Sequence, residues 1–419
     1  MPSARGRRLA GRLGVLGERN FRLFFAGYIT SLVGSAMVPV ALTFAVLDQG
    51  DGTAAVGYVL GAETVPLVAL LLLGGVVADR FPRRASMISA DLARFTSEGL
   101  LAVLLLTGSS PLWTVMVLAA VLGIGQAFFN PAMTGLMPEM VSAEHLQPAN
   151  ALRGVAGSAG QVLGPALAGI IVATAGAGWA IAIDSATYAV SAACLLRLNI
   201  PSRPPARQSS ILAQLVGGWH EFRSRTWLWV IVAQFATFNA ICFAPFMVLG
   251  AVTARDRLGG AGSWGIILAA LGAGSIVGGL VSMRLRVRRP LVTATLGAAI
   301  FALPLALIAM SAVTALIAIA AGAAGVGLSI FSTLWETTLQ REVPREILSR
   351  VSAYDWFGSV AFVPLGYLIA APIASLLGTR TTLFFAAAWA AGSCVIVLTV
   401  PSIRDLRRTP FSAAQVRRG

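Results

Sequence analysis

The chain is built from two hydrophobic halves that repeat each other. The segment 74–80 (GGVVADR) in the first half aligns with 278–284 (GGLVSMR) in the second, about 204 residues later. The segment 136–140 (LMPEM) likewise aligns with 339–343 (LQREV). Duplicated membrane halves usually form two helical bundles that rock against each other around a central cavity. The repeat therefore predicts alternating access to a cavity, and it favours transport before any single residue is considered.

Twelve apolar stretches account for most of the sequence. Charged residues make up only 11% of the 419 residues, whereas soluble domains carry roughly 25%. A membrane helix satisfies its own backbone hydrogen bonds, and about 20 apolar residues cross the bilayer core. We predict twelve membrane-spanning helices, called spans 1 to 12 in chain order, at 23–47, 55–78, 86–107, 111–132, 151–175, 178–198, 227–252, 263–283, 291–311, 313–335, 352–375 and 380–401.

The arginines predict how these spans are oriented. The net charge is +14 and all 31 basic residues are arginines. They lie in short segments between apolar runs and form no basic domain, so nucleic acid is a poor partner for this charge. Nearly all of them fall on one face, and only Arg255, Arg257 and Arg380 fall on the other. The positive-inside rule then places both termini in the cytoplasm. The lysine-free, alanine-rich composition indicates a GC-rich bacterial genome, and the expected location is the bacterial inner membrane.

The linker and the cysteines complete this outline. The segment 199–226 contains three prolines and several arginines, which predicts a cytoplasmic linker between a first bundle, 1–198, and a second, 227–419. Cys194, Cys242 and Cys394 all lie inside apolar runs without metal-ligand spacing. We therefore expect neither a disulfide framework nor a metal site.

The loop after span 2 carries the most specific motif. Residues 75–84 read GVVADRFPRR, and this segment resembles the Gly-x-x-x-Asp-Arg-x-Gly-Arg-Arg loop of the major facilitator superfamily, with Pro82 in place of the second glycine. The resemblance implies an all-α integral membrane fold of twelve helices in two pseudo-symmetric six-helix bundles. It also implies a gating latch formed by Gly75, Asp79, Arg80 and Arg84. A topogenic basic loop around a chance aspartate is the alternative.

A second motif lies in span 5. Gly160, Gly164, Pro165 and Gly169 form a small-residue groove with a proline bend, and they resemble the antiporter motif found mainly in exporters of that superfamily. Ordinary close helix packing is the alternative.

The loops 138–153 and 341–355 are similar to those of the superfamily branch that contains macrolide-efflux proteins and enterobactin exporters, which are drug–proton antiporters. This resemblance favours export. We expect acidic residues at the cytoplasmic ends of the spans to form gating ion pairs with arginines, those of these loops with arginines of the other half; weak, solvated surface pairs are the alternative. The residues concerned are Glu139, Glu336, Glu342 and Asp355.

Charged residues inside spans are rare and costly, so each is a functional candidate. Glu63 in span 2 and Asp184 in span 6 have no basic neighbour in sequence, and we predict that they are the proton-coupling residues. A neutral or hydroxyl-satisfied carboxyl group is the alternative. Asp91, Arg94 and Glu98 share one face of span 3, which favours a structural ion cluster. Span 4 lacks the arginine that drug–proton antiporters of the superfamily usually carry.

The substrate cavity should be lined by spans 1, 4, 7 and 10. An apolar wall with few polar groups suits an amphiphilic ligand, while helix–helix hydrogen bonding is the alternative role for the same amides. The polar and aromatic candidates are Gln126, Asn130, Gln234, Asn239 and Trp335.

Together these features predict a secondary active transporter that exports an amphiphilic small molecule, such as an antibiotic, siderophore or secondary metabolite, in exchange for protons. Its expected partners are that substrate, protons and the lipid bilayer, and we expect a functional monomer. The proton gradient would be the energy source, with no cofactor and no catalytic residues. Alternatives are uptake or leaflet transfer of a nutrient or lysolipid, or a non-transporting receptor; no enzyme motif is present.

Overall fold

The computed structural model describes residues 14–142, 145–200, 219–220, 222–285, 287–343 and 345–406, and within these it leaves undescribed the side chains of residues 71–80, 147–148, 151, 345–350 and 353. The described chain is all-helical and contains no strand. Its long helices, grouped by span, are Arg19–Ser35 and Val38–Gln49 (span 1), Gly52–Arg80 (2), Arg83–Thr107 (3), Leu112–Met140 (4), Leu146–Ala175 (5), Ala177–Leu196 (6), Thr226–Phe238 and Ala244–Thr253 (7), Ala261–Arg284 (8), Pro290–Ala299 and Ala302–Ala309 (9), Thr314–Glu342 (10), Arg345–Val360 and Val363–Leu377 (11) and Thr379–Leu398 (12).

Eleven of these spans are apolar and long enough to cross a bilayer, judged over the described residues. The exception is span 3, whose 25-residue helix carries Asp91, Arg94 and Glu98 in addition to two arginines at its start. It is as long as its neighbours and packs between spans 4 and 6. Since its three internal charges are buried inside the bundle, we count it as the twelfth span. The twelve-helix, all-α fold predicted from the sequence is confirmed.

Several helices extend beyond the predicted spans at the arginine-rich end of the molecule, the end that holds Arg83 and Arg84. Span 4 continues to Met140 instead of ending near residue 132, and span 10 continues to Glu342. Hydropathy detects only the apolar part of a helix, so it misses polar turns outside the hydrocarbon core. The sequence repeat is matched in register, because the helices of spans 2 and 8 end at the aligned residues Arg80 and Arg284.

Three spans are broken into two helices, and each break precedes a proline. Span 1 breaks at residues 36–37 before Pro39, span 9 at 300–301 before Pro304, and span 11 at 361–362 before Pro364. Proline lacks an amide hydrogen, and its ring clashes with the carbonyl group four residues earlier, so the helix is interrupted there. Span 7 is interrupted differently, by the π-helical turn Asn239–Phe243.

The hydrophobic core joins the two halves at one end only. At the end opposite the arginine-rich end, one continuous cluster contains residues of both halves, among them Phe44, Ile181, Phe246 and Trp264. At the arginine-rich end each half has its own separate cluster, centred on spans 3 and 4 in the first half and on spans 7 and 10 in the second. The halves are therefore closed together at one end and split at the other.

Candidate functional site

Glycines make the contact between spans 5 and 8, which holds the two halves together. A Cβ atom built on Gly265 would lie 2.6 Å from the Pro165 carbonyl oxygen and 2.9 Å from Gly169 Cα, and one built on Gly272 would lie 2.5 Å from the Gln161 carbonyl oxygen. The backbones therefore touch directly, as small-residue helix pairs do in membranes. A Cβ atom on Gly157, nearer the arginine-rich end of span 5, would meet nothing within 4 Å.

The glycines of the span 5 motif contact two different helices. Gly169 and Pro165 face span 8 of the other half. Gly160 instead packs on Leu32 of span 1, and a Cβ atom on Gly164 would overlap Ala36 at the break in that span. The motif thus lies in a close-packed region that touches both the neighbouring span and the opposite half.

Span 2 and span 11 make the second contact between the halves. A Cβ atom on Gly57 would overlap the Tyr367 carbonyl oxygen, and one on Gly61 would lie 3.1 Å from a methyl carbon of Leu368. At the same end Arg255 Nε lies 3.8 Å from Asp48 Oδ1, an ion pair that joins span 7 to span 1. The closed end is thus held by two glycine contacts and one exposed ion pair.

Substitution of Gly265 tests whether this close approach keeps that end closed. We expect Gly265→Leu to force the halves apart, because its side chain would have to occupy the space of Pro165 and Gly169. Gly262→Leu on the same helix is the control, since a Cβ atom there meets nothing within 4 Å. The measurement is labelling of a cysteine placed at the buried Ala168, in a cysteine-free background, by an impermeant maleimide added to whole cells. Equal labelling of the two variants would contradict the expectation.

A buried polar cluster occupies the core of the first half. The Arg94 guanidinium group lies between two aromatic rings, 4.5 Å from the centroid of Phe129 and 4.4 Å from that of Tyr188. It donates a hydrogen bond to Asp91 Oδ1, and Tyr188 Oη is hydrogen-bonded to Ser35 Oγ at 2.8 Å. Arg94 is therefore held by one carboxylate and by two cation–π contacts.

Glu98 and Asp184 form the second part of this cluster. Their carboxyl groups lie within hydrogen-bonding distance of each other, and both side chains are completely buried. Thr187 donates a 2.9 Å hydrogen bond to Asp184 Oδ1. Among the described residues no donor reaches either oxygen of Glu98 or Oδ2 of Asp184. Ionised carboxylates only accept hydrogen bonds, so these two groups can bond to each other only when at least one of them carries a proton.

Glu63 lies beside this pair and faces the other half. It is partly buried and within electrostatic range of Asp184 and Glu98, and also of Tyr367 in span 11. A Cβ atom on Gly123 would overlap the Glu63 carbonyl oxygen, so span 4 approaches span 2 closely at this point. The two predicted proton-coupling residues, Glu63 and Asp184, are thus brought together.

Glu98 is the functional candidate that the sequence analysis did not single out. Its helical spacing favoured an ion cluster with Asp91 and Arg94. In the structure Arg94 bonds Asp91, whereas Glu98 faces Asp184 of span 6. The available signal was that two acids, Asp91 and Glu98, share a single arginine on this helix. The pairing of spans 3 and 6 comes only from tertiary structure.

A cavity of about 260 Å³ lies in the second half between spans 7, 10 and 11. Two of the predicted substrate residues, Asn239 and Trp335, line it together with Glu336 and Asp355. Trp335 Nε1 donates a 3.0 Å hydrogen bond to Asp355 Oδ2, and Asn239 Nδ2 donates a 2.9 Å bond to the Ser359 carbonyl oxygen.

The other substrate candidates lie elsewhere. Gln234 is buried, and its Nε2 atom lies 3.3 Å from Cys394 Sγ in span 12, so it packs inside the second half. Gln126 and Asn130 are partly exposed on span 4.

The gate residues pair differently from the expectation. Glu139 accepts a 2.7 Å ion pair from Arg83, which also donates to the Gly135 carbonyl oxygen. We expected an arginine of the other half, and the partner instead belongs to the same half, because spans 3 and 4 are adjacent there. Among the described residues no arginine lies within ion-pair distance of Glu336, Glu342 or Asp355, and the first two are exposed.

The predicted latch is only partly within the described side chains. Arg84 Nε donates to the Leu195 carbonyl oxygen at 2.8 Å, and the same guanidinium group donates to Leu196 at 2.6 Å. Arg84 thereby satisfies orphan carbonyl groups at the end of span 6. The structure does not describe the side chains of residues 71–80, which include Gly75, Asp79 and Arg80 of the latch. Their role as a latch stays a prediction.

A smaller polar contact fixes the start of span 1. Glu18 Oε1 lies 2.7 Å from His145 Nδ1 and accepts a 3.2 Å hydrogen bond from the Ser142 amide group. Partial burial raises the pKa of Glu18, but the hydrogen bonds from His145 and Ser142 outweigh it, so the net pKa lies below its ordinary value.

A carboxylate with a lowered pKa stabilises the fold above its ordinary pKa, and this contribution is lost as the pH falls through the folded-state value. We expect Glu18→Gln to destabilise the detergent-solubilised protein at pH 7 by less than about 1 kcal/mol, since the pair is partly exposed. The difference should shrink between pH 7 and an acidic pH below the folded-state pKa of Glu18. Thermal unfolding at both pH values measures it, and an undiminished difference in acid would contradict the assignment.

Two six-span halves closed at one end and split at the other have the architecture of the major facilitator superfamily. The family model described as transmembrane secretion effector matches residues 10–413. The chain therefore belongs to the transmembrane secretion effector family of that superfamily, which confirms the predicted resemblance. It is a multi-pass membrane transporter and not an enzyme.

Three similar proteins are named as efflux proteins, and each aligns with almost the whole chain. The multidrug efflux pump Tap of Mycolicibacterium fortuitum is 25% identical and aligns with 90% of this chain and 95% of its own length. Macrolide efflux protein A of Streptococcus pyogenes is 21% identical over 93% and 96%. The enterobactin exporter EntS of Escherichia coli is 25% identical over 93% and 94%.

Solved structures share the fold at low identity. A bacterial homologue of the human lysosomal transporter Spinster, in an inward-facing and unoccupied conformation, superposes with a TM-score of 0.69 at 14% identity, and the alignment covers 94% of this chain and 99% of that one. This likeness shows the fold alone.

Proposed function

We propose that this protein exports an amphiphilic small molecule, such as an antibiotic, a siderophore or a secondary metabolite, from the bacterial cytoplasm in exchange for protons. In this proposal it works as a monomer in the inner membrane, with both termini in the cytoplasm. The proton gradient is its energy source, and it needs no cofactor.

The direction of transport is supported by the names of the relatives and by the side toward which the split between the halves opens. The relatives are named as efflux proteins for several drugs, for macrolides and for enterobactin. The arginine-rich end is cytoplasmic by the positive-inside rule, so the split between the halves opens toward the compartment from which an exporter collects its substrate.

Proton coupling is carried by one observation, the contact between the Glu98 and Asp184 carboxyl groups. The nearby cation, Arg94, is already bonded to Asp91. Without a proton, Glu98 and Asp184 would place two adjacent negative charges in the bundle core, which is strongly unfavourable. The pair therefore holds a proton, and its release requires water or a new partner near the cluster.

Glu63 connects this pair to the movement of the halves. It lies within electrostatic range of both carboxyl groups and of Tyr367, which belongs to the second half. When the halves separate at the closed end, Tyr367 moves away and Glu63 becomes accessible to the outer solvent. This change gives the protonation state of the cluster a different free energy in the two conformations, which is the requirement for coupling.

Efflux from energised inverted membrane vesicles tests the proposal. The panel contains dyes, macrolides and siderophores, each measured with and without a protonophore, and membranes lacking the protein are the control. We expect accumulation of at least one amphiphilic compound, and its collapse when the protonophore is added.

Accumulation that survives the protonophore would refute proton coupling. Accumulation of the panel only in right-side-out vesicles would refute export and favour uptake. Saturable binding without accumulation in either orientation would favour the receptor alternative.

A further inference from the structure

The cavity of about 260 Å³ in the second half has an aromatic wall. Phe235 and Phe331 are stacked with their ring centroids 4.8 Å apart and their planes 6° apart, and Trp335 continues the stack beyond Phe331 at 6.5 Å. Trp335 is itself fixed from behind by an edge contact with Trp227 at 5.7 Å. The wall is therefore built before any ligand arrives, and it offers π faces suited to a flat or cationic group.

Two acidic residues next to the aromatic wall also line the cavity. Asp355 and Glu336 both line it and lie within electrostatic range of each other. The indole N–H group of Trp335 donates a hydrogen bond to Asp355 Oδ2. Among the described residues no donor reaches Asp355 Oδ1. One carboxylate oxygen is thus oriented by the wall, and the other remains available to a ligand.

No basic residue lines this cavity among the described residues, although the chain contains 31 arginines. Two carboxyl groups in one cavity without a basic residue in its lining favour a positively charged occupant. The volume is slightly below the roughly 300–1,000 Å³ of pockets that enclose a whole drug-sized ligand. The cavity therefore accommodates the charged end of a larger molecule, whose remaining part lies in the split between the halves.

We propose that this cavity, lined by Phe235, Phe331, Trp335, Glu336 and Asp355, binds the cationic group of the transported molecule, so that the substrates are amphiphiles carrying a protonated amine or a quaternary cation. The inference rests on the proposed function, whose substrate class it narrows. Asn239 contributes indirectly, since its bond to the Ser359 carbonyl oxygen holds span 7 against span 11 at the edge of the cavity.

Binding of two probes of the same shape and opposite charge tests this inference. Radiolabelled tetraphenylphosphonium and tetraphenylborate are measured by equilibrium dialysis against the purified full-length protein, with protein-free detergent as background. We expect saturable binding of the cation only. Asp355→Asn should weaken it about tenfold and the double variant Asp355→Asn/Glu336→Gln about a hundredfold, one order of magnitude for each charge removed.

Matched variants separate the site from general damage. Asp405→Asn removes an exposed carboxylate near the end of the described chain and should leave the affinity unchanged. Trp335→Phe keeps an aromatic face but loses the donor to Asp355, so it should weaken binding less than Trp335→Leu does. Size-exclusion profiles establish that each variant is folded.

Unchanged affinity in the double variant, equal binding of tetraphenylborate, or no binding of the cation by the wild type would each overturn the inference. None of these results touches the export proposal, which the vesicle assay tests separately with neutral and anionic compounds in its panel. Conversely, carboxylate-dependent cation binding by a protein that accumulates no compound in vesicles would keep the site and refute export.

Discussion

We expect inverted vesicles that contain the Glu98→Gln or the Asp184→Asn variant to accumulate no more substrate than vesicles without the protein. Each change replaces one carboxyl group of the buried pair by an amide of nearly the same shape, which keeps a hydrogen bond to the remaining carboxylate but cannot exchange a proton. Proton-driven efflux should therefore fall to background, while substrate exchange across the membrane without a gradient should continue. Both rates are measured in the same inverted vesicles.

Two controls make this result specific. Asp405→Asn, an exposed carboxylate, should transport like the wild type. Glu63→Gln should reduce efflux less than the pair variants, since Glu63 is only partly buried. If Glu98→Gln keeps protonophore-sensitive accumulation and Glu63→Gln loses it, the proton is carried by Glu63 and the pair has a structural role.

The second large effect concerns stability. We expect Arg94→Met to destabilise the protein by about 3–5 kcal/mol, the usual cost of leaving a buried charge without its partner. Asp91 would lose its hydrogen-bonded cation, and the space between Phe129 and Tyr188 would lose the guanidinium plane. Arg94→Lys should recover part of the loss, because lysine keeps the charge but not the planar stack.

Thermal unfolding in detergent measures this effect. Arg197→Met is the control, since Arg197 is exposed at the end of span 6. Equal unfolding temperatures for Arg94→Met and Arg197→Met would contradict the assignment of Arg94 as the cation that supports the cluster.

The fold could be predicted from the sequence because apolar length reports on the bilayer directly. The number of spans and the internal repeat followed from hydropathy and from one seven-residue alignment. The helix ends could not be predicted, since span 4 is 29 residues long and exceeds the roughly 20 residues that cross the bilayer core. Proline positions alone would not have predicted the breaks in spans 1, 9 and 11, because Pro66, Pro131 and Pro165 lie inside helices that continue without a break.

The candidate site was predictable only residue by residue. An intramembrane carboxyl group is conspicuous in any sequence, which is how Glu63 and Asp184 were found. The partners of these residues could not be predicted, because Glu98 and Asp184 belong to spans 3 and 6, which are far apart in the chain. Gln234 was predicted to line the substrate cavity but packs against Cys394 instead. The sequence does not distinguish an amide that faces a cavity from one that bonds to a neighbouring span.

The divided helices have a consequence for the transport cycle. Spans 1, 9 and 11 each consist of two helical pieces, and span 7 contains a π-helical turn at Asn239–Phe243. A piece on one side of such a joint can tilt while the other keeps its packing, so the arginine-rich pieces can swing together before the glycine contacts of the closed end release. The substrate is then sealed from both compartments for a time, and this occluded intermediate prevents an open pore through which protons would leak.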